Sequence, residues 1–168
     1  EGNPNTEFIK LVKAVKPHQV TLVPDAHDAI TSNAGWDTVK HFDFLKEVVA
    51  DFQGVGIRVS IFVDTNLLNM EYAAKTGTDR VELYTEPYAT MYPENKEKAI
   101  APFVEAAKLA RKLGLGLNAG HDLSLENLKY FHTLIPWVDE VSIGHALISD
   151  ALYFGLENTI KQYKDQLR

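Results

Sequence analysis

Four ionisable side chains stand at or near the ends of short β-branched runs. Asp64 closes Arg58–Asp64, Glu82 lies inside Arg80–Glu86, His121 ends Asn118-Ala119-Gly120-His121, and His145 ends Ile143-Gly144-His145. Strands otherwise built of Val, Ile and Leu have little reason to finish on such groups unless the groups meet at the mouth of a pocket. Two imidazoles and two carboxylates gathered there can move protons or hold a divalent cation. A lone histidine in this position is ordinarily a partly exposed strand end, but a second one on the following run, again preceded by glycine, points to a site. Gly120 and Gly144 would let backbone amides come close to a ligand. The residues after His145 read as a helix whose N-terminal N–H groups suit an anion such as phosphate.

Each candidate also has a structural reading. Glu82 alternates with Val81 and Leu83 and so faces away from them, either as a working carboxylate or as half of an internal salt bridge with Arg58 or Arg80. Asp64, followed by Thr65-Asn66, suits a turn or a helix N-cap. Thr31, Ser32 and Asn33 lie in a loop, residues 28–36, rich in hydroxyl and amide groups; it suits a phosphorylated or polyhydroxylated ligand as well as an ordinary turn. His18, His41 and His132 fall on helices or helix ends and read as surface residues, Trp36 and Trp137 as core or interface residues.

The elements that must position these groups follow from periodicity. Strands are expected at Gln19–Pro24, Arg58–Asp64, Arg80–Glu86, Leu115–His121 and Glu140–His145. Helices are expected over Asn5–Val15, Phe42–Phe52, Leu67–Lys75, Asn95–Leu113, Ser124–Ile135 and, in two pieces, Ala146–Leu167. In the fourth helix, Ile100, Phe103, Val104, Ala107, Ala110 and Leu113 form the apolar stripe, and Gly114 supplies the stop. The strand-to-helix connections 25–41 and 87–94 are longer than the helix-to-strand ones, which places a site at the C-terminal ends of the strands. The whole of 1–168 reads as one α/β domain of repeated βα units. It lacks a dinucleotide fingerprint, a Walker loop and a nucleophile elbow. What remains favours a relative of the (β/α)8 barrel, although five strands cannot close one.

Composition narrows the function further. The 168 residues carry 17 Lys+Arg against 23 Asp+Glu, a net charge of −6, which disfavours a large nucleic-acid surface. The chain has no cysteine, so a disulfide framework, a thiolate zinc site and a cysteine nucleophile are all excluded. Its longest apolar runs, such as Ile57–Val63, are strand-sized rather than the roughly 20 residues of a membrane span.

Several segments, taken in order, resemble one family. They are Lys16-Pro17-His18-Gln19-Val20-Thr21-Leu22-Val23-Pro24-Asp25, Ala29-Ile30-Thr31-Ser32, Gly56-Ile57-Arg58-Val59-Ser60-Ile61-Phe62-Val63-Asp64, Arg80-Val81-Glu82-Leu83-Tyr84-Thr85, Leu117-Asn118-Ala119-Gly120-His121 and Ser142-Ile143-Gly144-His145-Ala146. They are similar to the pyridoxine 5′-phosphate synthases. The resemblance implies a (β/α)8 TIM barrel, of which the N-terminal strands and helices are missing from this chain. Against a barrel of roughly 250 residues, it reads as the C-terminal two-thirds. It also implies condensation of 3-amino-2-oxopropyl phosphate with 1-deoxy-D-xylulose 5-phosphate to pyridoxine 5′-phosphate, phosphate and water, without metal or cofactor. A cytoplasmic homo-oligomer, an octamer in the family, is implied too, with Trp137, Tyr153 and Phe154 as candidate interface residues.

By position, Glu1 matches a proton acceptor, His121 the proton donor and Glu82 a carboxylate that stabilises the transition state. Thr31 matches a contact to the deoxyxylulose phosphate, and Asp122, Gly144 and His145 match positions that bind the aminoketone phosphate. Asp122 stands where the family often has glycine, and Tyr84 where some members have histidine. The family's Asn-Ile-Asp-His strand and His-Leu-Arg-Glu-Asp-Arg-Arg segment have no counterpart in this chain, so the chain alone is expected to be an incomplete catalyst. Two other readings remain from the residues themselves. One is a metal-dependent barrel hydrolase or sugar isomerase using Asp64, Glu82, His121 and His145; the other is a truncated barrel module that only binds or assembles.

Overall fold

Five apolar runs form five parallel strands in the order β1-β2-β3-β4-β5: β1 (Gln19–Leu22), β2 (Arg58–Val63), β3 (Arg80–Leu83), β4 (Gly116–Gly120) and β5 (Glu140–Ser142). The computed structural model describes residues 1–25 and 34–168. The helices are α1 (Thr6–Val15), α2 (Phe42–Gln53), α3 (Leu67–Lys75), α4 (Glu86–Met91), α5 (Lys96–Lys112), α6 (Leu128–Leu134), α7 (His145–Phe154) and α8 (Leu156–Asp165). Asparagines start three of them: Asn5, Asn66 and Asn95 accept hydrogen bonds from the first-turn N–H groups of α1, α3 and α5. The stretch 87–94, expected to be a loop, is largely α4, with Pro87 in its first turn, where a fixed φ and a missing N–H are tolerated.

Neighbouring strands are successive in sequence, and parallel crossovers are right-handed, so the helices collect on one side of the sheet. Period-2 alternation then divides the strands cleanly. Val20, Leu22, Val59, Ile61, Val63, Val81, Leu83, Leu117 and Ala119 join the helices in the main core. Gln19, Thr21, Arg58, Arg80, Glu82, Asn118 and Glu140 alternate with them and bond to one another across the other face.

Those bonds show the curvature. In a flat sheet β1 and β5 would be four strand spacings apart, about 19 Å. Yet Gln19 Nε2 donates to Glu140 Oε2 at 3.2 Å. Arg58 of β2 meets Glu140 Oε1 at 2.6 Å, and Arg80 of β3 meets the same oxygen at 3.1 Å. The sheet is therefore curled with its polar face inside, a five-stranded half-barrel rather than the full (β/α)8 barrel expected. Its floor is a network of Gln19, Arg58, Arg80, Asn118 and Glu140.

Gly2 forms a parallel bridge with Leu22 at the outer edge of β1, which brings Glu1 to the C-terminal end of the sheet. Trp36 is core, its indole N–H donating to Leu22 O, and Trp137 packs part-buried with Arg111 over its ring. Helix α7 buries none of its residues and presents Ile148, Leu152, Tyr153 and Phe154 outward. Among the described residues no helix is long and apolar enough to cross a membrane.

Candidate active site

At the C-terminal ends of the strands the curled sheet opens into a cavity of about 640 Å³, a size suited to a small ligand. Its polar lining is Glu1, Glu82, His121, Ser142, Gly144, His145 and Ser149, set against Phe62, Ile143 and Ile148.

Glu82 is the inward residue of β3 one layer above the floor. It is 2% exposed, and its Oε2 accepts from the Thr21 hydroxyl at 3.1 Å. The salt bridge with Arg58 or Arg80, one of the two readings open for Glu82, does not form, because the curl delivers both guanidinium groups to Glu140 instead. A carboxylate buried this deeply holds its proton tightly: burial, and then the negative charge of Glu1, push Glu82 up to about 7. Room for that carboxylate comes from Gly120 on the neighbouring strand. A Cβ there would stand 2.6 Å from Glu82 Oε1 and 2.9 Å from Ser142 O. The glycine thus accommodates a side chain of the protein itself, whereas a Cβ on Gly144 would meet no atom of the described residues within 4 Å. Gly120→Ala is expected to displace Glu82, lowering turnover at least tenfold and stability by about 1–3 kcal/mol. Urea unfolding alongside phosphate-release kinetics checks both effects.

His121 follows β4 directly and adopts a left-handed φ of 38°, rare for a non-glycine residue and typical of functional loops. Three neighbours fix this turn. The His121 N–H donates to Ser142 O of β5 at 2.7 Å, the Thr85 hydroxyl donates to Gly120 O, and Asn127 Nδ2 donates to Asp122 O at 3.2 Å. The ring then lies between two partners. Its Nδ1 is 3.2 Å from Asp122 Oδ1 and its Nε2 is 3.1 Å from His145 Nδ1.

His145 was expected to end β5. It instead opens α7, because the strand stops at Ser142 and Gly144, with φ −103° and ψ −82°, turns the chain into the helix. Gly144 offers no side-chain cap and α7 has no acidic residue in its first turn, so its leading N–H groups and dipole favour an anion beside the cavity. Tyr84 packs against Phe62, and its phenol is pushed up by burial first and then by Glu86, Asp122 and Asp25.

The cavity thus unites Glu1, Glu82, His121, Gly144 and His145. Asp122 stands one step behind, its carboxylate on His121 and its N–H donating to Gly120 O at 2.8 Å. Thr31 lies outside the described residues. Asp64 lies apart, with Oδ1 accepting from Asn66 N at 3.0 Å and Asn69 Nδ2 at 3.3 Å, the turn role foreseen for it. Among the described residues no three His, Asp or Glu side chains gather as a metal-ligand set. Sequence reasoning missed Ser142, Ser149 and Thr85. Ser142 shares the inward parity of Glu140, which was the available signal.

Comparison with known proteins shows the family. The family described as pyridoxal phosphate biosynthesis protein PdxJ matches residues 1–168. This chain belongs to the PdxJ family. PdxJ relatives named pyridoxine 5′-phosphate synthase include one from Phocaeicola vulgatus, 70% identical over 168 residues, all of this chain and 71% of the relative. One from Bacteroides thetaiotaomicron is 69% identical with the same coverage. A third, from Porphyromonas gingivalis, is 59% identical over 99% of this chain and 70% of its own length. The expected C-terminal two-thirds is corrected accordingly, since the match takes in 71% of the first two relatives. For this PdxJ chain the fold alone is also shared with the YdjI aldolase of Escherichia coli, at TM-score 0.61 and 15% identity over 99% of this chain and 64% of that one. A structure titled "Native KDPGal structure" matches at TM-score 0.60 and 13% identity, over 99% of this chain and 68% of the other.

Proposed function

We propose that this PdxJ chain works as a pyridoxine 5′-phosphate synthase, joining 3-amino-2-oxopropyl phosphate to 1-deoxy-D-xylulose 5-phosphate with release of phosphate and water. The observation that carries the reading is a buried carboxylate paired with neither Arg58 nor Arg80, Glu82, sharing one cavity with His121 and with the uncapped N-terminus of α7. Imine formation, enolisation, phosphate elimination and ring closure each move a proton beside a carbonyl or imine. A carboxyl group titrating near neutral pH suits that work in both directions, as does imidazole.

His121 serves as proton donor, Glu1 as acceptor, and Glu82 stabilises the charge that develops between them. Gly144 and the start of α7 hold the aminoketone phosphate so that the reacting carbons stay in register. Thr31 contacts the second phosphate substrate. In the whole protein the half-barrel continues into a (β/α)8 barrel; its strictly sequential parallel order supports this. The same reading carries a cytoplasmic homo-oligomer, supported by the exposed Tyr153 and Phe154 of α7.

The intact protein, given both substrates, is expected to release inorganic phosphate at an undiminished rate in EDTA. Turnover abolished by EDTA and restored by a divalent cation would overturn the proposal in favour of a metal-dependent hydrolase or isomerase.

A further inference from the structure

We propose that Asp122, His121 and His145 form a directional hydrogen-bond chain in which Asp122 fixes the tautomer of His121 and His145 resupplies its proton. This rests on His121 being the proton donor and assigns work to two residues beyond substrate contact.

The direction follows from donor and acceptor chemistry. An ionised carboxylate only accepts, so the bond at Asp122 Oδ1 requires the hydrogen on His121 Nδ1. In the neutral ring His121 Nε2 is then a lone pair, and the 3.1 Å contact to His145 Nδ1 requires the hydrogen on His145. His145 is left with a lone pair on Nε2 at an exposed position on the first turn of α7. One acidic residue therefore orders both imidazoles.

Asp122 is well held for this. Its carbonyl is bound by Asn127, and its N–H is engaged with Gly120 O and the Thr85 hydroxyl. The carboxylate cannot swing to the cavity without breaking its bond to His121, and its amide is already committed. Its place in the fold fits orienting a ring better than meeting a phosphate, which would repel it.

The protons balance. His121 in its charged form gives its Nε2 proton to the substrate and becomes the neutral Nδ1–H tautomer that Asp122 stabilises. His145 passes its Nδ1 proton to His121 Nε2 and takes one from water on its own Nε2. Net, one proton moves from solvent to substrate, and the exposed ring re-equilibrates with water before the next turnover.

The first test needs no turnover. Long-range ¹H–¹⁵N NMR of the intact protein at about pH 8, where an ordinary imidazole is neutral, is expected to show Nδ1–H tautomers for both rings. Asp122→Ala is expected to shift His121 toward Nε2–H. An Nε2–H tautomer for His121 in the unmodified protein overturns the chain even if the synthase reading stands.

Kinetics give the second test. His145→Gly is expected to lower kcat roughly tenfold or more with the KM for the aminoketone phosphate little changed, and free imidazole is expected to restore kcat. A raised KM with unchanged kcat, or a lowered kcat that imidazole leaves unrestored, overturns the relay. If the unmodified protein releases no phosphate from the two substrates, the synthase reading fails instead, and the NMR result is unaffected.

Discussion

Replacing His121 with asparagine is expected to lower kcat for phosphate release by about 10²- to 10⁴-fold, the usual worth of a positioned general acid, while the folded structure persists. Asparagine is the informative choice because of the backbone. At a φ of 38° a β-branched residue would be strained, whereas asparagine tolerates the left-handed region better than most side chains. The turn is also held from outside the ring, by Ser142 O, by Thr85 and by Asn127, none of which the substitution removes. The thermal midpoint should therefore move by only a few degrees, equivalent to about 1 kcal/mol. An amide cannot supply a proton at neutral pH, so the loss should fall on kcat rather than KM. Steady-state kinetics beside calorimetry decide the matter, and a variant that turns over within threefold of the parent removes His121 from the mechanism.

The identity of this site was more legible in the sequence than its geometry. The five strands and most helices follow from β-branched runs and from the stripe of α5, where Ile100, Phe103, Ala107 and Ala110 are indeed buried. That Glu82 faces inward follows from alternation alone. Its partner does not, because period 2 puts Arg80, Glu82 and Glu140 on one face without revealing how far that face curls. Only the curl brings Glu140 of the edge strand within reach of both arginines and leaves Glu82 paired with neither. His145 was misplaced for a local reason. Ser142-Ile143-Gly144 reads as a continuing strand until the backbone of Gly144 turns into α7. The pairing of Asp122 with His121 was hidden too, since adjacent residues ordinarily point apart and meet here through the left-handed turn at His121. Helix α4, by contrast, announced itself: Thr85-Glu86-Pro87 is a plausible helix start that the loop assignment overlooked.

Glu82→Gln should make the protein more stable at alkaline pH and nearly inactive. The folded state holds the Glu82 proton up to about pH 7, whereas the unfolded chain releases it near 4.5. Between those values the native state binds more protons than the unfolded one, so the free energy of unfolding falls as pH rises through the window and levels off above it. The gap corresponds to about 3 kcal/mol of stability lost by pH 8. Glutamine keeps the shape, still accepts from the Thr21 hydroxyl at the same place and never ionises, so it avoids that loss. At about pH 3.5, below both values, where the carboxyl is protonated in the folded and unfolded chains alike, the two proteins should unfold at nearly the same urea concentration. The advantage of the variant should open progressively toward pH 8. Turnover should fall by about 100-fold or more, because the amide neither exchanges a proton nor carries the charge that steadies developing cations. A variant that is no more stable at pH 8 than its parent would mean that Glu82 is ionised in the folded protein at ordinary carboxylate pH. In that case a cation not among Arg58 and Arg80 must reach the carboxylate. The pairing of gain and loss is what separates a working group from a structural one: a carboxylate kept for stability would not be improved by removing its charge.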